Sequence, residues 1–147
     1  MSNSYLSCSW DEPMIADADT ETAVLGMVKK WSDSFAKKDL EGILGLFARD
    51  ADVSMFGSWD WEVAVGPDAL RTLYTRLFAG EESISWEWKS YHVSSSGTVA
   101  WVFARGFVHT RKGESDSWGA YRLTAVFEKR EGQWLWMQFH GSEPVAT

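Results

Sequence analysis

Apolar residues follow two different periods along the chain, and the change comes after Gly80. Before it they recur every three or four positions, as on one face of a helix, and after it every second position, as in a strand. The first stripe predicts a helix over residues 22–38, with Asp19 or Thr20 as its N-cap. Its apolar face consists of Val24, Met27, Val28, Trp31 and Phe35.

Two further helices and two short strands are predicted before the period changes. A short helix follows Asp39, its expected N-cap, and a third helix opens at residues 66–68, where proline is favourable in the first turn. Gly80 is a natural end for this helix. Between the second and third helices, residues 51–56 and 61–65 read as short strands.

Long strands dominate the second half of the chain. They are predicted at residues 83–94, 99–111, 117–130 and 133–140, with turns at Ser96-Gly97, Lys112-Gly113 and Glu131-Gly132. Consecutive strands joined by short turns form an antiparallel meander. Because helices and strands are segregated along the chain, the expected fold class is α+β.

Both faces of the long strands are apolar. In the fourth predicted strand Trp101, Phe103 and Phe107 alternate with smaller apolar residues, and in the last strand Trp134 and Trp136 are expected on the face opposite to Leu135, Met137 and Phe139. A sheet with one wet face would alternate apolar and polar residues. One face should therefore cover the helices and the other a second subunit, which predicts a homodimer.

Polar side chains end the last strand and follow one face of the strand before it. His140 and Ser142 are two residues apart, as are Arg122 and Thr124. With Trp136, Gln138 and the helix residue Trp31, they are predicted to line one pocket on the concave face. Arg122 would bind a carboxylate or carbonyl, and His140 is the candidate catalytic acid or base. The alternative is a structural network of the same polar groups.

The composition limits the classes of partner that the chain is expected to bind. The 147 residues suit one domain, the formal net charge is −7, and there are ten tryptophans and one cysteine. The acidity argues against nucleic acid and anionic membrane partners, and the lone cysteine fits the cytoplasm. No apolar run is long enough to span a membrane. No zinc spacing or phosphate loop is present, so no metal or cofactor is expected. Residues 1–19 read as a mobile tail and residues 20–147 as the domain.

The order of elements and several local motifs resemble a known superfamily. The motifs are Phe35-Ala36-Lys37-Lys38-Asp39-Leu40, Leu46-Phe47-Ala48-Arg49-Asp50-Ala51, Val65-Gly66-Pro67-Asp68-Ala69-Leu70, Gly97-Thr98-Val99-Ala100-Trp101-Val102, Arg122-Leu123-Thr124 and His140-Gly141-Ser142-Glu143-Pro144. Together, over residues 20–145, they are similar to SnoaL-like domains of the nuclear transport factor 2-like superfamily, close to the association-domain-like branch. This resemblance implies a cone-shaped, curved, mostly antiparallel sheet wrapped around three N-terminal helices.

The resemblance implies a fold but not an activity, because this fold hosts isomerases, cyclases, hydrolases, dehydratases and non-catalytic modules. Steroid-isomerase members would need a carboxylate where this chain has Met55, and a helix-one tyrosine where it has Trp31. Their chemistry is therefore not expected here.

Three functions remain open. The first is a small-molecule-binding or sensing domain that has an aromatic pocket for a small apolar or aromatic ligand and dimerises through its sheet. The second is an isomerase, cyclase or dehydratase acting on a small aromatic or polyketide-like substrate. The third is an oligomerisation module without a ligand.

Overall fold

Nine elements make up the described part of the chain, residues 13–146 of a computed structural model, and they follow the predicted order. The helices are α1 (Ala18–Ala36), α2 (Leu40–Leu44) and α3 (Pro67–Phe78). The strands are β1 (Ser54–Phe56), β2 (Val63–Val65), β3 (Ser83–Ser96), β4 (Val99–Lys112), β5 (Ser115–Arg130) and β6 (Gln133–Ser142). The α+β class is confirmed. None of the helices in this range is long and apolar enough to cross a membrane.

Local capping explains where the first two helices begin. Helix α1 starts earlier than predicted, because its N-cap is Asp17 rather than Asp19 or Thr20. The Asp17 carboxylate accepts a hydrogen bond from the Thr20 backbone N–H at 2.7 Å. The predicted cap of α2 is confirmed, since Asp39 Oδ1 accepts from the Gly42 backbone N–H at 3.0 Å.

The six strands form one curved, open sheet in the order β2-β1-β6-β5-β4-β3. Strands β3 to β6 make the predicted antiparallel meander, and β1 adds to β6 in parallel. Gly97, Gly113 and Gly132 turn the chain between these strands with φ of 59°, 60° and 79°. Other residues adopt this conformation only at a steric cost, so the glycines fix the three hairpins.

A β-bulge in β6 changes which side chains face the helices. The pairing of β5 with β6 skips Met137, so Trp136 and Phe139 lie on the same face and are both fully buried. Trp134 is buried as well, whereas Gln138 is exposed. The prediction that Phe139 lies opposite to Trp134 and Trp136 is therefore wrong, because it assumed an uninterrupted two-residue period.

The sheet has an inner face against the helices and an outer face that nothing in the described chain covers. Trp31 of α1 is fully buried against the inner face, with its ring centroid 4.7 Å from those of Trp86 and Phe139. On the outer face Trp101 and Phe103 are 37% and 42% exposed. The alternation predicted for the fourth strand is thus observed.

The segment before α1 runs along the edge of β3. Ala16 N–H donates to the Val93 carbonyl at 3.1 Å, and Ser95 N–H donates to the Met14 carbonyl at 2.9 Å. Met14 and Ala16 belong to the predicted tail of residues 1–19. Residues 1–12 of that tail lie outside the described part of the chain.

Candidate functional site

A cavity of about 560 Å³ opens between the inner face of the sheet, α1 and the end of α3. We call it the aromatic cavity, because seven of the residues that line it carry aromatic rings. The rings belong to Trp31, Phe35, Trp59, Trp61, Trp86, Tyr121 and Phe139. The charged side chains in the wall are Glu62, Arg76, Glu82 and Glu143. The size and composition are typical of a site for a small, flat organic molecule.

The loop between β1 and β2 supplies a carboxyl group to this wall. Gly57 N–H donates to the Glu62 carbonyl at 2.8 Å, which closes the loop, and the Glu62 side chain folds back so that Oε1 accepts from Trp59 N–H at 3.2 Å. The other carboxylate oxygen lies where a Cβ atom on Gly57 would be. A glycine at residue 57 is therefore needed for Glu62 to adopt this position.

Burial makes Glu62 a weaker acid than an ordinary glutamate. Removal from water raises the pKa of its carboxyl, the negative charge of Glu143 raises the pKa further, and the hydrogen bond from Trp59 N–H opposes both effects. Glu143 itself is held by Ser58, whose Oγ donates to Oε2 at 2.6 Å. Two carboxyl groups in one site, one of them with a raised pKa, are able to hold and transfer a proton.

Tyr121 brings a phenol to the same part of the wall. Burial, and then the charges of Glu62 and Glu143, raise the pKa of the Tyr121 hydroxyl, so this group stays protonated. Its ring passes directly over Gly141 of β6, where an added Cβ atom would overlap the hydroxyl oxygen. Gly141 therefore lets the Tyr121 hydroxyl lie against the sheet.

Arg76 lies at the mouth of the aromatic cavity. Its guanidinium carbon is 3.7 Å from the centroid of the Trp61 ring, a cation–π contact. Within residues 13–146 it forms no ion pair with a carboxylate. The Arg76 guanidinium thus stabilises the position of the Trp61 indole in the cavity wall.

Most of the predicted site residues lie outside this cavity. Arg122, Thr124, Gln138, His140 and Ser142 are exposed on the outer face of the sheet. The strand register does bring them together, since Arg122 lies opposite Ser142 and Thr124 opposite His140. The prediction that they converge on the concave face is wrong, because the bulge at β6 and the alternation in β5 direct them outwards.

The two predicted tryptophans lie on the inner side of the sheet. Trp31 lines the aromatic cavity, but its Nε1–H already donates to Tyr74 Oη at 2.8 Å, so it offers a ligand only its ring. Trp136 is fully buried behind Trp31 and does not line the cavity.

The residues that sequence reasoning missed are Glu62, Glu143 and Tyr121. The only signal was the run Trp59-Asp60-Trp61-Glu62, which reads equally well as a pocket rim and as a surface loop. Nothing local to Glu143 or Tyr121 distinguishes either from an ordinary strand or terminal residue. Among the described residues, no three His, Cys, Asp or Glu side chains are grouped closely enough to hold a metal ion.

Solved structures with the same fold include proteins named provisionally as enzymes. One from Streptomyces avermitilis, provisionally named a dehydratase of the nuclear transport factor 2-like family, has a TM-score of 0.78 and 22% identity over 88% of this chain and 100% of its own. A provisional scytalone dehydratase from Novosphingobium aromaticivorans has a TM-score of 0.76 and 17% identity over 88% of this chain and 87% of its own. At such identities the likeness shows the fold alone.

A protein of unknown function from Nostoc punctiforme, described as having a cystatin-like fold, has a TM-score of 0.73 and 16% identity over 90% of this chain and 97% of its own. A comparison with proteins of curated function finds no match. The sequence model of the SnoaL-like domain matches residues 24–146. This range contains the whole sheet, α2, α3 and all of α1 except its N-terminal turns. The chain therefore belongs to the SnoaL-like domain family.

Proposed function

We propose that the chain binds a small, flat organic molecule in the aromatic cavity and catalyses proton transfer on it, with Glu62 as the acid–base group. The reaction class is isomerisation or dehydration. This is the enzyme alternative predicted from the sequence, with the catalytic group moved from His140 to Glu62. His140 is exposed on the outer face of the sheet and does not line the aromatic cavity.

The observation that carries the proposal is the environment of Glu62. Its carboxyl lines the aromatic cavity, burial raises its pKa, and the second carboxyl of Glu143 lies close enough to raise it further. Partial burial of the Glu62 carboxylate costs free energy, and the hydrogen bond from Trp59 N–H offsets only part of this cost. A raised pKa makes the Glu62 carboxyl a better proton carrier than an ordinary glutamate, which suits a general acid–base group.

Both reactions balance without a further reactant. In an isomerisation, the Glu62 carboxylate accepts a proton from a carbon next to a carbonyl, and the neutral carboxyl returns it at another carbon. In a dehydration, the carboxylate accepts the C–H proton, and the departing hydroxyl leaves as water after taking that proton from the carboxyl. The protonated Tyr121 hydroxyl, near Glu62 and Glu143, would donate a hydrogen bond to the substrate.

The names of two structural relatives support the same class, since both are provisionally called dehydratases. The sensing-domain alternative assumes a pocket without an acid–base pair. The position of Glu62 and Glu143 in the cavity wall argues against that assumption.

Deuterium exchange tests the proposal without knowledge of the natural substrate. The protein is incubated in D₂O with a panel of bicyclic ketones that includes 1-tetralone, and exchange of the hydrogens next to the carbonyl is followed by NMR. We expect acceleration by the wild type and loss of about 10²-fold or more in Glu62→Gln, the usual range for a general acid–base group.

The matched control is Glu82→Gln, which also changes a cavity-wall carboxylate but one that lies 3.8 Å from Lys112 Nζ and is partly solvated. This variant should retain most of the exchange activity. Equal activity of Glu62→Gln and the wild type, or no acceleration of any ketone by the wild type, would contradict the proposed function.

We propose further that the chain is a homodimer through the outer face of the sheet. What supports this is a row of large apolar side chains on β4, with Trp101, Phe103 and Phe107 all between 37% and 42% exposed. A monomer would leave this row in water. Phe103→Glu should give monomers in sedimentation velocity, whereas Thr22→Glu, on exposed α1 surface, should not. A monomeric wild type at micromolar concentration would exclude the dimer.

A further inference from the structure

The positive charge in the wall of the aromatic cavity belongs to Arg76, and the other charged residues of the wall are Glu62, Glu82 and Glu143. Each of these carboxylates has a polar partner. The partners are Trp59 N–H at 3.2 Å for Glu62, Ser58 Oγ at 2.6 Å for Glu143 and Lys112 Nζ at 3.8 Å for Glu82. In residues 13–146 the Arg76 guanidinium has neither a hydrogen-bond acceptor nor an ion-pair partner. Its donors are therefore available to a ligand.

The contact with Trp61 holds the Arg76 guanidinium without occupying its hydrogen-bond donors. The guanidinium carbon is 3.7 Å from the centroid of the Trp61 ring. A cation–π contact of this kind uses the positive charge and leaves the N–H donors free. Because Trp61 itself lines the aromatic cavity, this contact places the charged end of Arg76, and not only its apolar stem, beside the mouth. A donor group held in one position in this way is prepared to bind a ligand.

The exposure of Arg76 determines which ligand group it is able to select. Solvent reaches this residue, so a ligand has to replace water at the guanidinium. A neutral carbonyl or hydroxyl group replaces one ordinary hydrogen bond with another and gains little. A carboxylate gains more, because its charge is opposite and its two oxygens match two parallel N–H bonds of the guanidinium. Arg76 therefore favours a carboxylate over a neutral group.

The remaining charges of the wall restrict an anionic ligand to one orientation. A carboxylate close to Glu62, Glu82 or Glu143 would meet a group of its own charge, whereas beside Arg76 it meets the opposite charge. The carboxylate is thus favoured at the mouth, where Arg76 is exposed. The apolar part of the same molecule then lies against the buried ring side chains of the cavity, such as Trp31.

We propose that Arg76 binds a carboxylate of the substrate at the mouth of the aromatic cavity, so that the substrate is a flat carboxylic acid. This rests on the proposed function and names its substrate class. The carboxylate serves only for binding, and the carbon that exchanges a proton with Glu62 lies elsewhere on the molecule. Arg76 is then the residue that determines specificity, because it distinguishes an acid from a neutral or cationic molecule with the same ring system.

Two ligands that differ only in charge test the inference. They are 2-naphthoate and 2-naphthamide, and the affinity of each is measured at neutral pH by ligand-observed NMR titration. Arg76→Met removes the guanidinium but keeps an unbranched apolar side chain next to Trp61. The matched control is Arg122→Met, which removes an arginine that is also exposed but lies on the outer face of the sheet.

In the wild type we expect 2-naphthoate to bind about tenfold more tightly than 2-naphthamide, the low end for a charged hydrogen bond because Arg76 is exposed. High salt should reduce this preference. The preference should disappear or reverse in Arg76→Met, with the affinity for the amide unchanged, and persist in Arg122→Met. The Arg76 Nε–H resonance of the wild type, identified by its loss in Arg76→Lys, should shift with the acid and not with the amide.

Equal affinities of the wild type for the two compounds, or a preference for the acid that Arg76→Met retains, would overturn the inference alone. Loss of the preference in Arg122→Met would overturn it as well, since the carboxylate would then bind on the outer face. If neither compound binds, the inference fails together with the proposed small-molecule site. The role of Glu62 is tested separately, because the exchange experiment uses neutral ketones.

Discussion

The same substitution, Gly→Ala, should have opposite effects at two positions of this protein. In a strand or helix, alanine is favoured over glycine by about 0.5–1 kcal/mol, because glycine loses more backbone entropy on folding. At Gly26 in α1 an added Cβ would meet no atom within 4 Å beyond its chain neighbours and the adjacent helix backbone. Gly26→Ala should therefore raise the free energy of unfolding by that amount.

At Gly141 the added methyl group would overlap the Tyr121 ring, since it would lie 2.6 Å from Cζ and closer still to the hydroxyl oxygen. Tyr121 is 5% exposed, with Trp86 and Trp88 packed against it at 5.7 and 6.1 Å. Overpacking of this kind costs about 1–3 kcal/mol. After subtraction of the backbone gain, Gly141→Ala should lower the free energy of unfolding by about 1–2 kcal/mol.

Thermal unfolding separates the two cases. For a domain of this size a change of 1 kcal/mol in the free energy of unfolding corresponds to about 2–4 °C in Tm. The Tm of Gly141→Ala should therefore be about 2–8 °C lower than that of the wild type, and the Tm of Gly26→Ala about 1–4 °C higher. In a Tyr121→Leu background the overlapping atoms are gone, and Gly141→Ala should then raise the free energy of unfolding by about 0.5–1 kcal/mol, as at Gly26. If Gly141→Ala does not lower Tm, or if Tyr121→Leu does not remove the loss, the contact between Gly141 and Tyr121 is refuted.

Three further outcomes are expected. Burial raises the pKa of Glu62 in the folded state, so its carboxylate destabilises the fold once the pH exceeds the unfolded pKa, and Glu62→Gln should raise Tm near pH 8 but not near pH 4. Arg122→Met should leave 1-tetralone binding unchanged, because Arg122 is exposed on the outer face; a loss of binding by NMR would contradict its position. Asp39→Ala should lower the free energy of urea unfolding by about 1 kcal/mol through the lost cap of α2, and no change would mean that the cap is solvated.

Period and turn chemistry were sufficient to predict the order of the elements and the α+β class, whereas the curved sheet around the helices was implied by the resemblance to SnoaL-like domains. The helical stripe around Trp31, the change of period after Gly80 and the three glycine turns each predict an element that is observed. These signals are local, and they agree with one another along the whole chain. Element ends were less accurate, because Asp17 is one of several residues that are able to cap α1.

The site could not be predicted in the same way, because its residues are defined by contacts distant in sequence. All the residues from Trp134 to Met137 are apolar, so the pattern gives no sign of a bulge, and the bulge decides which of them face the helices. Glu62 acquires its raised pKa from burial and from Glu143, which is far away in the chain. A sequence shows that Glu62 follows two tryptophans but not that a cavity closes around it.

The two residues before α1 that form hydrogen bonds with β3 affect how the protein should be produced. Met14 and Ala16 occupy backbone groups of β3 that would otherwise form a free sheet edge. Unpaired edges are templates for strand addition between molecules. A shortened version beginning at the helix would therefore expose Val93 and its neighbours to self-association, whereas one that keeps the chain from Pro13 onwards retains this protection.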